Sequence, residues 1–157
     1  MRSILFVCTA NICRSPMAEG VLRSLLVAKG IDASQVRIDS AATHDVRVGS
    51  PPFELAVKAA ANRGYAIEQQ LARQVTPQDF DDFDYILAMD RNNLAHLKSI
   101  CPTHCKQKIE LLLEYGDEDH GKDVPDPYGG QAKDYERALD MIEDACRGFV
   151  QILARNP

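Results

Sequence analysis

The chain has 157 residues, a net charge of −5, 45% hydrophobic residues and 26% charged residues. That length predicts a single domain spanning residues 1–157 with its own core, in the composition range of an ordinary soluble fold. No apolar run reaches bilayer length, no basic run offers itself to phosphate backbones, and Met1-Arg2-Ser3 leads into too few apolar residues for an export signal. A cytoplasmic protein with no nucleic-acid or membrane partner is expected.

Ile4 to Val7 is a continuous apolar run of strand length, as in a strand buried on both faces. A helix follows, with Ser15 as N-cap and Pro16 at its first helical position. Its apolar stripe is Ala18, Val21, Leu22, Leu25 and Leu26, and Gly30 ends it. Val36 to Ser40 alternates and predicts a second strand, and Thr43 to Ser50 is loop. Pro51-Pro52 opens a helix carrying Leu55, Ala56, Ala59 and Ala60, which closes near Gly64. Thr76-Pro77 starts a short helical stretch. Tyr85 to Met89 is a third buried strand, Asp90 caps a helix with Leu94 and Leu97, and Ile109 to Leu113 is a fourth strand. Gly116 to Gln131 is polar loop. A last helix aligns Tyr135, Ala138, Leu139, Ile142, Ala145, Phe149 and Leu153. Strands alternating with helices predict an α/β fold: one doubly wound domain, with a four-stranded parallel sheet and helices on both faces. In such sheets ligands bind at the carboxyl ends of strands, and Cys8 sits at the end of the first.

Cys8, Cys13, Cys101, Cys105 and Cys146 form an odd set in a chain with no export signal, which reads as free thiols. The segment Cys101 to Cys105, "CPTHC", hints at zinc. It lacks a second cysteine pair at finger-like spacing, and no metal is expected.

The chemistry concentrates in "CTANICRSP", Cys8 to Pro16. Five residues separate Cys8 from Arg14, enough for a turn to wrap its N–H groups around one tetrahedral anion. The helix that follows adds its positive end, and Arg14 can fork two anion oxygens. The same field favours a thiolate at Cys8, which makes covalent catalysis at phosphorus available. Ser15 can donate a hydrogen bond to that sulfur. No glycine-rich nucleotide loop is present. A departing alkoxide needs a proton, and Asp126 in "VPDPYGG", braced by Pro125 and Pro127 beside Tyr128, is the best candidate. Equally, Asp126-Pro127 can simply begin a turn.

These residues resemble the low-molecular-weight protein tyrosine phosphatase family over nearly the whole chain. "CTANICRSP", "DSAAT" from Asp39, "ARQVT" from Ala72, "FDYILAMDRNNL" from Phe83 and "DPYGG" from Asp126 look like its segments in its order. The resemblance implies a Rossmann-like fold of the phosphotyrosine phosphatase I type and hydrolysis of aryl phosphate monoesters through a phosphocysteine on Cys8. It further implies that the amides of Thr9, Ala10, Asn11, Ile12, Cys13 and Arg14, with the Arg14 side chain and Ser15, hold phosphate. Tyr128 would flank the ring, Asp126 would act as general acid and then base, and Asn11, Ser15 and Ser40 would support the loop. Cys13 would be the thiol that can pair with Cys8 under oxidation and protect it. No cofactor is implied. The partners implied are a phosphotyrosine-containing protein, with a tyrosine kinase as a further candidate, and inorganic phosphate as product.

The sequence departs from the family pattern at Ala10 in place of glycine, Gln70 in place of a frequent histidine, Val46 where an aromatic is usual, and Phe53 in place of aspartate. These leave other readings open: a protein arginine phosphatase on the same fold, an arsenate reductase drawing on Cys101 and Cys105, and an inactive phosphate-binding module. Ile12 favours an aryl leaving group, since the arginine-directed branch carries threonine there.

Overall fold

The computed structural model describes residues 2–155. Four parallel strands run in the order β2-β1-β3-β4: β1 Arg2–Cys8, β2 Val36–Ala42, β3 Tyr85–Ala88 and β4 Ile109–Leu111. The helices are α1 Arg14–Ala28, α2 Glu54–Asn62, α3 Asp79–Asp82, α4 Arg91–Ile100 and α5 Ala132–Arg155. The expected doubly wound sheet is therefore observed, with β1 and β3 as its inner strands.

Strand alternation splits the core into two layers. Ile4, Phe6 and Cys8 point into a cluster built with α1, α2 and α5. Leu5 and Val7 point the other way, toward Phe80, Phe83, Leu97 and Cys105. The predicted face of α5 is buried as expected, from Tyr135 to Leu153. Gly148 lets α5 lie against the Tyr115 main chain, since a Cβ there would meet the Tyr115 carbonyl oxygen at 2.0 Å.

From β1 the chain moves outward to β2, then crosses back to β3 on the other side. The order of connection thus reverses between β1 and β3, and Cys8 ends the strand at that crevice, where such sheets bind ligands.

Some boundaries differ from expectation. The fourth strand ends at Leu111 because Leu112–Tyr115 tightens into a 3-10 turn. The second helix begins at Glu54, three residues after the first proline. Ser15 does not cap α1: the helix starts at Arg14 with Cys13 at the cap position and no side-chain cap bond, because the Ser15 hydroxyl is engaged by the preceding loop. Asp90 does cap α4, its Oδ1 accepting from the Asn93 N–H at 2.8 Å.

Candidate active site

The segment from Cys8 to Arg14 folds into a cup whose backbone polarity is sorted. Its carbonyls point outward: Cys8 O accepts from Thr43 N (2.9 Å), Thr9 O from His44 N (3.1 Å), Ile12 O from Phe53 N (2.9 Å) and Cys13 O from Met17 N (3.1 Å). Among the described residues, the N–H groups from Thr9 to Arg14 take part in none of these loop bonds. Backbone amides left uncommitted in a loop that runs into a helix N-terminus are suited to cradle an anion.

Asn11 makes the cup possible. It alone among the described non-glycine residues has positive φ, at 59°, a conformation that asparagine tolerates better than most. Its buried Nδ2 donates to Ser15 Oγ (2.7 Å) and Ser40 Oγ (2.9 Å), and its Oδ1 accepts from Arg73 N (3.1 Å). Arg73 is in turn anchored by Asp39 and Asp79 at 3.0 and 2.9 Å. Ser15 Oγ lies 3.0 Å from Cys8 Sγ, within reach to donate to it. Gln70, which replaces the histidine common in the resemblance, joins the same network. Its Oε1 accepts from Ser40 Oγ at 3.4 Å, and its Nε2 donates to Pro16 O at 3.1 Å.

Arg14 is 2% exposed despite its charge. Its Nη1 donates to Asp90 Oδ2 (2.6 Å) and Val124 O (3.0 Å), and its Nη2 faces Thr9 Oγ1 (3.5 Å) and Asp126 Oδ2 (3.7 Å). Burial works against the cation, but Cys8, Asp90 and Asp126 outweigh it and hold the guanidinium more firmly protonated than usual. Asp90, expected as a helix cap, thus also orients the arginine. Asn93 Nδ2 donates to Thr9 Oγ1 at 3.1 Å from the same helix.

A cleft of about 310 Å³ opens over the cup, lined by Cys8, Thr9, Ala10, Ile12, Cys13, Arg14, Val46, Arg47, Asp126 and Tyr128. Asn11 and Ser15 do not line it; their side chains lie beneath, in the supporting network with Ser40. Asp126 stands exposed at the rim. Its Oδ1 accepts from Tyr128 N at 3.1 Å, so the residue both forms a turn and faces the cleft. Phe53 lies behind Tyr128, with the rings edge-on at 5.3 Å. Cys13 is buried beside Cys8, with its Sγ 3.7 Å from the Tyr135 hydroxyl, and burial pushes its thiol up to about 12.

Arg47 also lines the cleft. Its Nη2 donates to the Tyr128 hydroxyl at 2.7 Å, bridging the two walls of the cleft. No local pattern in "HDVRVG" marks it, because its partner is 81 residues away. Cys101 and Cys105 lie in the core layer on the opposite face of the sheet from Cys13.

A parallel sheet carrying a strand-end thiol, a loop whose amides are left out of its backbone bonds and a buried arginine has the parts of a cysteine-centred phosphate-binding enzyme. The sequence matches the family model "Low molecular weight phosphotyrosine protein phosphatase" over residues 3–157, and the chain belongs to that family. It is 40% identical over 154 residues to the low molecular weight protein-tyrosine-phosphatase YfkJ of Bacillus subtilis, covering 98% of this chain and 95% of that one. The crystal structure of a protein tyrosine phosphatase from Entamoeba histolytica, with Hepes in its active site, superposes with a TM-score of 0.94 at 35% identity, covering 99% and 98% of the two chains. An arginine phosphatase, YwlE from Bacillus subtilis, shares the fold at a TM-score of 0.86 and 29% identity, covering 98% and 97%.

Proposed function

We propose that the protein, as a single domain over residues 1–157, hydrolyses phosphotyrosine in protein substrates through a phosphocysteine on Cys8. The observation that carries this is the cleft shared by Cys8, Arg14 and Asp126, beside a loop whose N–H groups from Thr9 to Arg14 are left out of its backbone bonds.

The Cys8 thiolate attacks phosphorus and forms the S–P bond as the P–O bond to the phenol breaks. The equatorial oxygens rest on the amides and the Arg14 guanidinium, which meet the developing charge without reorganising. Asp126, in its acid form, gives its proton to the phenolic oxygen. It then takes a proton from the water that attacks the phosphocysteine, and the thiolate leaves as inorganic phosphate is released. Ser15, 3.0 Å from the sulfur, stabilises the thiolate as leaving group, while Asn11, Ser15 and Ser40 hold the loop. Cys13 supplies a neighbouring thiol able to capture an oxidised Cys8 as a disulfide before irreversible oxidation. Catalysis requires no metal or organic cofactor.

Ile12 and Val46 give the cleft apolar walls beside Tyr128, which suits a phenyl ring better than a charged guanidinium. The relay cysteines that an arsenate reductase would need lie across the sheet. The nucleophile, arginine and acid all remain, which argues against an inactive module. All five cysteines are unpaired, a state suited to the reducing cytoplasm, where a tyrosine kinase would supply the substrate.

The test compares phosphotyrosine and phosphoarginine peptides as substrates of the wild type and of Cys8→Ser. Preferential phosphotyrosine hydrolysis by the wild type is expected, with no turnover but retained phosphate binding by Cys8→Ser. Faster release from phosphoarginine, or turnover by Cys8→Ser, overturns the reading.

A further inference from the structure

A second cluster of reactive side chains borders the other core layer. Asp81 on α3, with His104 and Cys105 from the 3-10 turn Thr103–Lys108, brings three donor atoms within 4.8 Å of one another. Asp81 Oδ1 is 3.5 Å from His104 Nε2 and 3.7 Å from Cys105 Sγ. Asp81 and His104 are exposed, whereas Cys105 is 1% exposed and packed in the cluster with Phe80, Phe83 and Leu97.

The 3.7 Å contact is that of a weak S–H···O hydrogen bond and the 3.5 Å contact that of a loose ion pair, and both also fall near the ligand–ligand edges of a metal site. With bonds of about 2.3 Å to sulfur, 2.05 Å to nitrogen and 2.1 Å to oxygen, tetrahedral zinc gives S–O and N–O edges of about 3.6 and 3.4 Å. Each observed distance lies within about 0.1 Å of its edge. One thiolate, one imidazole and one carboxylate form the borderline-soft donor set that zinc takes and that magnesium or calcium does not.

We infer that Asp81, His104 and Cys105 form a zinc site, with water as the fourth ligand. The "CPTHC" segment lacks a second cysteine pair in sequence, and the fold replaces it with a carboxylate from α3. The Cys105 thiol loses its proton to solvent as its sulfur binds the metal, and the ion clamps α3 to the turn before β4. The Lys108 ammonium donates to the carbonyls of Phe80 (2.8 Å) and Asp81 (3.4 Å), which ties the same turn to α3. The site does not depend on the reading of the catalytic cleft.

Cobalt(II) replaces zinc as a visible probe, titrated into full-length Cys8→Ser so that the cleft thiolate does not compete. The expected result is one bound ion, with a thiolate-to-metal charge-transfer band and the intense visible bands of tetrahedral cobalt, displaced by zinc. Cys105→Ser removes the charge-transfer band. Asp81→Asn and His104→Ala change exposed side chains, so the fold is retained, and each weakens binding about tenfold or more, since even indirect ligand partners cost that much. No band at excess cobalt, a band that survives Cys105→Ser, or unchanged affinity in either surface variant overturns the site.

Discussion

Asn11→Ala tests whether the catalytic cup is held by one side chain. The substitution deletes three hydrogen bonds, to Ser15, Ser40 and the Arg73 amide, at 2.7, 2.9 and 3.1 Å. Buried neutral bonds are worth about 1 kcal/mol each, which gives about 3 kcal/mol. Alanine must also hold φ near 59°, which adds about 1 kcal/mol. The expected destabilisation is about 4 kcal/mol by urea denaturation at low temperature, with a large fall in kcat/KM for an aryl phosphate. Asn11→Gly loses the same bonds but not the left-handed preference, so it is expected to recover about 1 kcal/mol of the alanine loss. Wild-type stability in Asn11→Ala, or no difference between alanine and glycine, refutes the assignment of loop strain and support to this residue.

Asp126→Ala is expected to slow phosphate esters of poor leaving groups by two to three orders of magnitude more than activated ones, about the worth of one general acid. A uniform loss across a leaving-group series counts against that role. Burial raises the Cys13 thiol to about 12 and raises that of Cys146 further, so the folded state keeps protons that the unfolded chain gives up above its ordinary thiol range. Stability therefore falls as pH rises from about 8.5 toward 12, with Cys13 contributing about 1.5 kcal/mol of the loss by pH 10. Paired urea titrations at pH 8.5 and 10 should show a shallower loss in Cys13→Ala, and equal losses would sink the argument. Arg47→Glu reverses a charge at the cleft mouth. It is expected to raise KM for phosphotyrosine peptides about tenfold at low salt, with the effect shrinking at high ionic strength. An unchanged KM, or one insensitive to salt, would remove Arg47 from recognition.

What could be read from the sequence was local. Cys8, Arg14 and the strand-to-helix passage between them lie within one short window, and apolar runs such as Ile4 to Val7 state their own burial. Ser15 is legible in part: its reach to Cys8 and its support of the loop follow from the motif, whereas the cap expectation fails because the hydroxyl is committed to Cys8 and Asn11. Asp90 was half legible, since capping is a four-residue pattern while its bond to Arg14 spans 76 residues. Arg47 with Tyr128, and Asp81 with Cys105, owe their proximity entirely to strand order and carry no signal in either segment alone.

The position of Arg14 has a consequence for how its loss should be measured. One guanidinium touches the start of α4 through Asp90, the acid-bearing segment through Val124, and the cup itself through Thr9. It is a tie rod joining three chain segments as well as the proposed ligand for phosphate. Arg14→Ala therefore removes a charge and also frees the segment that aims Asp126, so its rate deficit merges two failures. Arg14→Lys restores charge without the fork. The activity it regains measures how much of the arginine's value is electrostatic, and the remainder measures how much is alignment.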